Sequence, residues 1–376
     1  MAISGVTYSY TTGGQGAVNR EDFDQIVSMI SPYDTPLLTM LNRKIATNTK
    51  HEWQEDALRG MVDTLSDNMP ANGASTAMRV NYGSTRWPVS TNAPIMARID
   101  EEIIKAWART TNLLTVVRAY NSTATAAHSS SASVEILGDL GIEGATARTA
   151  FAQTRTRPYN VTQVFDATVQ ITGTQEAISA AGVIQSESDY QAEQRMRELK
   201  IQIERSLISG TRVDGSTSTF RSMGGLWHYI STNKANASSA AVSEDNIDSD
   251  IKVCRDAGGQ PSVLLANTTQ MKKINALYKD RIRSTPEGIF GGANIQRIYS
   301  PNAADGELAL ITDVWVPQHE YYILDMSKLF LAELRPFKTK PLAETGDSKL
   351  QQVICEITLE VKNESAHARR YGLSTS

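Results

Sequence analysis

The side chains best suited to metal or proton chemistry are five histidines, His51, His128, His228, His319 and His367. No two stand three to five residues apart, and none forms a local cluster with a cysteine, so a structural zinc site is not expected. His51-Glu52 lacks the second histidine of a metalloprotease pair. Each histidine is read as a surface or polar-core residue. Cys254 and Cys355 lie far apart in apolar contexts and read as buried small hydrophobes rather than as a disulfide or a metal site. Asp100, Glu101 and Glu102 are the densest acids. On an extended backbone Asp100 and Glu102 share a face and Glu101 points away, which describes a solvated edge rather than a cleft. Asp245, Asp248 and Asp250 lack the central Gly and closing Glu of a calcium loop. Gly13, Gly14 and Gly16 have no preceding strand and no following Lys, so they make a weak phosphate loop. No Gly-x-Ser-x-Gly elbow or Walker motif occurs. Arg155 and Arg157, in TRTRP, and Arg369-Arg370 are isolated basic spots. They suit phosphate or the carboxylates of a neighbouring copy, and the absence of a wider patch favours the second. Catalytic, cofactor-binding and metal residues are therefore all expected to be none.

The whole-chain balance agrees. The 376 residues suffice for two or three compact regions, and 40% hydrophobic with 21% charged residues is an ordinary globular mixture. A net charge of −4 argues against a general nucleic-acid binder. The opening MAISGVTYSYTTGGQG is polar, unlike a signal peptide, and no apolar run is long enough to span a bilayer. A soluble protein made in a cytoplasm is expected. The Asn-x-Ser/Thr triplets at Asn121, Asn160, Asn236, Asn267 and Asn363 then read as loops.

The elements are ordered around Ser186 to Ser209, SESDYQAEQRMRELKIQIERSLIS. It contains no Gly or Pro and predicts one helix roughly 36 Å long. Ser186 with Asp189 resembles a capping box, and Gly210 predicts a left-handed stop. Ala192, Met196, Leu199, Ile203 and Leu207 share one face, with Tyr190, Ile201 and Ile208 nearly opposite, so the helix should be covered on both sides. Before it come a flexible arm (1–20), a helix at Glu21–Ile30 and a helix in PLLTMLN opened by Pro36. Thr49–Leu58 predicts a strand paired with Val161–Thr172, whose residues alternate apolar and polar. That long two-stranded arm would carry everything from about 61 to 159. Within it, Ile95–Arg109, Leu113–Tyr120 and Val134–Leu137 predict a small β-domain, although Ile99, Ile103, Ile104 and Trp107 also fit a helix. Ser231–Val242 reads as an exposed low-complexity stretch. From Ser243 the pattern is α/β: a helix at Asp245–Ala257, a strand at Pro261–Ala266, a helix capped by Asn267, a Gly-rich loop (Thr285–Asn294), and strands at Gln296–Ser300 and Leu308–Val316. Tyr321–Leu324, Lys328–Leu334 and Lys349–Val361 return as strands, the last with one buried face for the long helix to cover.

This order resembles the HK97-type fold of tailed-bacteriophage major capsid proteins. The wording of three blocks is similar to the SU10-like family: NREDFDQIVSMISPYDTPLLTMLNRKIATNTKHEWQEDAL (Asn19–Leu58), RPYNVTQVFDATVQITGTQEAI (Arg157–Ile178) and LAETGDSKLQQVICEITLEVKNESAHARRYGL (Leu342–Leu373). Inside the arm, VVRAYNSTATAAH (Val116–His128) resembles the Arg-Gly-Tyr-x-Gly-Thr-x-Ala-Ala-His segment of small β-domains in phage structural proteins, with Ala119 and Ser122 where Gly is usual.

The resemblance implies an α+β HK97-like capsid subunit and no enzyme. Its parts would be an N-arm with short helices (1–48), an E-loop (49–178) with an all-β insertion at about 75–140, a P-domain (179–242) with spine helix 186–209, an A-domain (243–320), and return strands of the P-domain (321–376). It implies a major capsid protein that self-assembles as hexamers and pentamers into an icosahedral head shell around a double-stranded DNA genome. The DNA would be held without sequence-specific binding and the mild acidity would keep it loosely held. Thr285–Asn294 would sit near the axis and the E-loop over the neighbouring subunit. Portal protein and a separate scaffolding protein are the implied partners, a decoration protein a further one, with no membrane and no cofactor. The virion is the implied location, after assembly in the host bacterial cytoplasm. The arm before the first block is short, so a fused scaffolding segment is not expected. Deleting 85–138 would leave assembly competent if the insertion is decoration. The alternative is another virion component, a decoration or tail protein.

Overall fold

The computed structural model describes residues 34–71, 76–141, 143–144, 147, 150–177, 186–279, 282–286, 294–303, 306–344 and 346–375. The arm at 1–20, the helix expected at Glu21–Ile30 and the middle of the Thr285–Asn294 loop lie outside the described residues. The chain divides at Trp53/Gln54 and Arg157/Pro158 into a larger unit and a spliced-in smaller one.

Among the described residues the larger unit begins with helix α1 (Pro36–Met40), where Pro36 occupies the position whose missing N–H costs nothing. Strands β1 (Asn42–Ile45) and β2 (Lys50–Glu52) follow.

The smaller unit, Gln54–Arg157, holds β3 (Val62–Thr64), β4 (Ala77–Arg79), a helical turn α2 (Gly83–Arg86), β5 (Ile95–Ile99), β6 (Glu102–Thr110), β7 (Leu113–Val117) and β8 (Ser133–Asp139). They form one six-stranded sheet in the order β3-β8-β5-β6-β7-β4. Its first strand precedes the range of 75–140 expected from sequence. Ile95–Arg109 is neither one strand nor a helix: it turns at Asp100 (φ 51°) and pairs back on itself, Ile99 opposite Glu102. The turn resets the two-residue phase. Ile95, Ala97 and Ile99 are buried as expected, but Ile104 and Ala106 continue the core face rather than Ile103 and Trp107.

The larger unit resumes with β9 (Tyr159–Val161), β10 (Gln163–Thr172), α3 (Gly173–Ala177), the long helix α4 (Glu187–Ser209), α5 (Leu226–Tyr229), β11 (Lys234–Asn236), α6 (Glu244–Asp256), β12 (Val263–Ala266) and α7 (Thr268–Leu277). Then come β13 (Ile282–Pro286), β14 (Asn294–Tyr299), β15 (Glu307–Thr312), β16 (Tyr321–Leu324), β17 (Leu329–Pro341), β18 (Ser348–Val361) and β19 (Ala368–Tyr371). One sheet runs β1-β17-β18-β10, a second β11-β19-β16-β12-β15-β14-β13, and β2 pairs with β9.

Helix α4 is unbroken, and its opening amide at Asp189 donates to Ser186 Oγ at 3.4 Å. Leu199, Ile203, Leu207 and Ile208 are each 1% exposed or less. They pack in one core with Phe165, Val353, Cys355, Ile357 and Leu359 of the β10–β18 face. Burying each such side chain stabilises by about 1.5–3 kcal/mol. Gly210 does not take the left-handed stop: its backbone is extended (φ −60°, ψ 146°). It is glycine because a Cβ there would stand 2.3 Å from the Ser206 carbonyl oxygen and 2.8 Å from that of Met223.

The arm pairing is shorter than expected. Lys50, His51 and Glu52 face Val161, Asn160 and Tyr159 across β2–β9. Gln163–Thr172 instead pairs antiparallel with Ser348–Ile357, because its apolar face (Phe165, Val169, Ile171) must be buried. Two further expectations change. Ser231–Val242 is not a free loop: β11 adds to β19 in parallel and Ala237 and Val242 are buried. In β18 both faces are buried from Cys355 on, since Glu356, Thr358 and Glu360 are 5%, 0% and 2% exposed.

Candidate functional site

Those buried acids on β18 require partners, and basic side chains supply them. Glu360 accepts from Lys44 Nζ (2.9 Å) and faces His51 Nε2 (2.8 Å), with Lys362 at 3.4 Å. Against the cost of burial, these partners hold its carboxyl down to about 2. Glu356 accepts from Thr162 Oγ1 (2.7 Å) and Arg335 Nε (2.9 Å), and pairs with Arg221.

Arg369 and Arg370 are not reserved for phosphate or for a neighbouring copy. Adjacent residues of a strand point to opposite faces, and each arginine finds a bidentate acid in its own chain. Arg369 donates to Glu320 at 2.9 and 2.7 Å, and Tyr322 donates its hydroxyl to the same carboxylate at 2.8 Å. Arg370 donates to Asp250 at 2.8 and 2.7 Å, joined by the Tyr321 hydroxyl at 2.7 Å. The register of β16 against β19 sets both triads, Tyr321 opposite Arg370 and Tyr322 opposite Arg369. Asp250 is thus committed, and Asp248, further back on α6, accepts from Ser300 Oγ at 3.1 Å. Arg155 pairs with Asp56 at 3.2 Å on the surface of the smaller unit, and Arg157 is exposed.

The acids at 100–102 depart furthest from expectation. Glu102 is not on a solvated edge: its side chain is 0% exposed, as are those of Arg118 and His128 to within 1%. Arg118 donates Nε to Oε1 (2.9 Å) and Nη2 to Oε2 (2.6 Å). The amides of Ala119 and Ala126 each donate at 3.1 Å. His128 spans Asp100 Oδ2 (2.9 Å) and Glu102 Oε2 (3.0 Å), so both ring nitrogens face carboxylate oxygens. These donors outweigh burial and bring the Glu102 carboxyl down to about 2. The segment resembling the phage β-domain motif is therefore a clasp whose two ends, Arg118 and His128, close on one acid. Ala119 and Ser122, at the usual glycine positions, take left-handed conformations (φ 49° and 65°), the backbone that explains why glycine is usual there. Sequence reasoning missed Glu102; the available signal was a buried-type Arg and His on one loop with no acid of their own.

The remaining candidates are spread out. His228 is lowered by burial and then by Arg212. His319 lies 3.4 Å from Glu320. His367 is 0% exposed, accepts the Asp325 amide at 3.2 Å, and burial pushes it down to about 4. Both cysteines are buried and burial pushes each thiol up to about 12. Among the described residues no group of three or more His, Cys, Asp or Glu is placed to hold a metal, and no helix is long and apolar enough to cross a membrane. A groove of about 710 Å³ runs between β10 and the first half of α4, lined by Gln170, Gln175, Gln191, Arg195 and Glu198 among others. It brings together none of the candidate histidines, cysteines or paired acids.

Solved structures share this arrangement. The chain superposes on a structure of Mycobacterium phage Bobi with a TM-score of 0.50 and 11% identity, over 96% of this chain and 97% of that one. The capsid of an empty GTA particle gives 0.50 and 9%, over 98% and 100%. The fold is that of the HK97-type phage capsid subunits. In sequence, the SU10 major capsid protein family model matches residues 3–374. The chain belongs to the SU10 major capsid protein family, whose members form the phage head shell, and its place is the virion. No curated relative matches the chain.

Proposed function

We propose that this major capsid protein assembles as hexamers and pentamers into an icosahedral shell around double-stranded DNA. In this reading the larger unit divides into a P-domain, built on α4 and the β1-β17-β18-β10 sheet, and an A-domain around the second sheet. The β13–β14 hairpin and its Thr285–Asn294 loop face the hexamer axis, and the E-loop, begun by β2 and ended by β9, lies over the neighbouring subunit. The observation that carries it is the 23-residue rod α4 with a β-layer clamped on it, in a chain with no convergent polar site among its described residues. A stiff member with polar surroundings suits repeated, modest contacts between copies. Ile45 and Phe220, 85% and 96% exposed, are apolar side chains that such neighbours would cover. The net charge of −4 fits DNA packaged without sequence-specific binding. A portal protein, a separate scaffolding protein and a decoration protein complete the set of partners, with assembly in the host bacterial cytoplasm and no enzymatic activity.

Negative-stain microscopy of the chain co-expressed with its virion partners tests the reading. Closed shells of one size class are expected. A decoration or tail protein would give none.

A further inference from the structure

Rings of identical chains close through head-to-tail contacts, which need two different and complementary patches on every copy. Two such patches are left uncovered, one protruding and one concave.

The first is the hairpin at 211–222, which follows α4. Val213 and Ser222 exchange backbone hydrogen bonds at 3.0 and 3.1 Å, and the Ser216 amide closes the tip on the Thr219 carbonyl at 3.1 Å. The Ser222 hydroxyl donates to the Thr211 carbonyl at 2.7 Å. The flanks are pinned to the body of the unit. Arg212 donates to the Tyr159 carbonyl at 3.0 Å and stacks on that ring at 4.0 Å, and the Tyr159 hydroxyl donates to Asp214 at 2.9 Å. Arg221 pairs with Glu356. Between these anchors Phe220 is 96% exposed. The backbone that carries the ring is already ordered, so covering it costs little further entropy and gains its apolar area.

The second is a cleft of about 500 Å³ in the smaller unit. Leu58, Tyr82 and Phe151 wall it and are 97%, 50% and 38% exposed. Arg86 lies in the cleft, donating to the Val62 carbonyl and stacked over the Tyr82 ring at 4.0 Å. Gly60 makes room for it, since a Cβ there would stand 2.8 Å from Arg86 Nε. No carboxylate among the described residues takes this guanidinium. An apolar recess with a planar cation suits an aromatic ring, which packs on Tyr82 and Phe151 and offers its face to the charge. The uncharged Gly215–Thr219 stretch beside Phe220 brings carbonyl acceptors for the remaining Arg86 N–H groups.

We propose that Phe220 of one copy docks in the Tyr82–Phe151 cleft of the next, the hairpin and the cleft being the two halves of one head-to-tail contact. This rests on the reading above, in which the E-loop lies over the neighbouring subunit, and names residues that meet there. Aromatic anchors of this kind, seated in a pocket, carry most of the energy of an interface.

Cysteine pairing between separately substituted chains tests it. Chains with Thr219→Cys are mixed with chains carrying Gln153→Cys, which lines the cleft, under assembly conditions. They are oxidised with copper phenanthroline and the linked peptides are read by mass spectrometry. The native cysteines are both buried and stay out of the reaction. A 219–153 link is expected. The same mixture made with Ser130→Cys, exposed on the smaller unit but outside the cleft, should give none. Phe220→Ser should keep the urea midpoint of the subunit, because the ring is almost wholly exposed. It should lower the yield of particles about tenfold or more, as loss of an interface anchor does. The proposal fails if the 219–153 link is absent, if Ser130→Cys links equally, or if Phe220→Ser assembles like the native chain. A lowered yield without the link assigns Phe220 to another partner and overturns the contact. The link is scored on the mixed chains whether or not shells close, whereas native chains that form no shell would overturn the assembly reading itself.

Discussion

At the scale of single residues, buried charges are placed in pairs, and breaking a pair is the sensitive experiment. Glu102→Gln leaves the buried Arg118 without its counter-charge and should cost about 3–5 kcal/mol, seen as a lower urea midpoint for the smaller unit. In the same clasp Ala119→Gly relieves a left-handed alanine (φ 49°) and should raise stability by about 0.5–1 kcal/mol. His367 sets an acid limit. The unfolded chain takes up its proton near 6.5, but the folded chain resists until about 4. Unfolded chains thus bind more protons in that window, and stability is lost as pH falls through it, by about 3 kcal/mol at 1.36 per unit. Glu102 and Glu360, held at about 2, withdraw their contribution later, below about 4.5. Denaturation at stepped pH should show both stages, and His367→Gln should remove the first. These pairings were poorly legible in the sequence. Glu102 reads as solvent-facing because its partners are 16 and 26 residues away, brought near only by a turn at Asp100. Arg369 and Arg370 read as free because their acids belong to other elements.

At the scale of elements the sequence was far more readable, since periodicity is local. The α4 stripe, its Ser186 cap and the Asn267 cap all follow from spacing, and Asn267 Oδ1 does accept the Thr269 amide. What failed was pairing between distant segments. Val161–Thr172 has the correct alternation, yet nothing local says that its partner is β18 and not β2. Gly210 shows the same limit: its type was informative, but the reason is the carbonyls of Ser206 and Met223 crowding its Cβ position, not its own φ. Because Leu199 and Ile203 sit in the seam between α4 and the β10–β18 face, replacing either by Asp buries an unpaired charge. The loss should exceed about 4 kcal/mol, and the subunit should be recovered from the insoluble fraction.

At the scale of the whole molecule, the family and the fold were legible through the resemblance to the SU10-like family, whereas the first strand of the β-module, Val62–Thr64, was not. Removing 85–138 would take β5 to β8 and strand β3 and β4. The structure indicates a cleaner excision, 57–154, because Glu55 already bridges Thr156 and the Trp53 amide donates to the Pro158 carbonyl at 3.1 Å. Joined by a short turn, such a chain should still give particles under the electron microscope if the module is decoration. Complete loss of particles would show that it is structural. The position of β19 has a different consequence. It comes after every other described strand in the sequence, yet it lies inside its sheet, between β11 and β16, with Arg369 and Arg370 locked to Glu320 and Asp250. A polypeptide still on the ribosome at residue 360 holds two unneutralised carboxyls and an open gap between neighbours. A copy cut before β19 would leave Asp250 and Glu320 without their arginines and β11 without its neighbour, and should fail to reach the folded subunit.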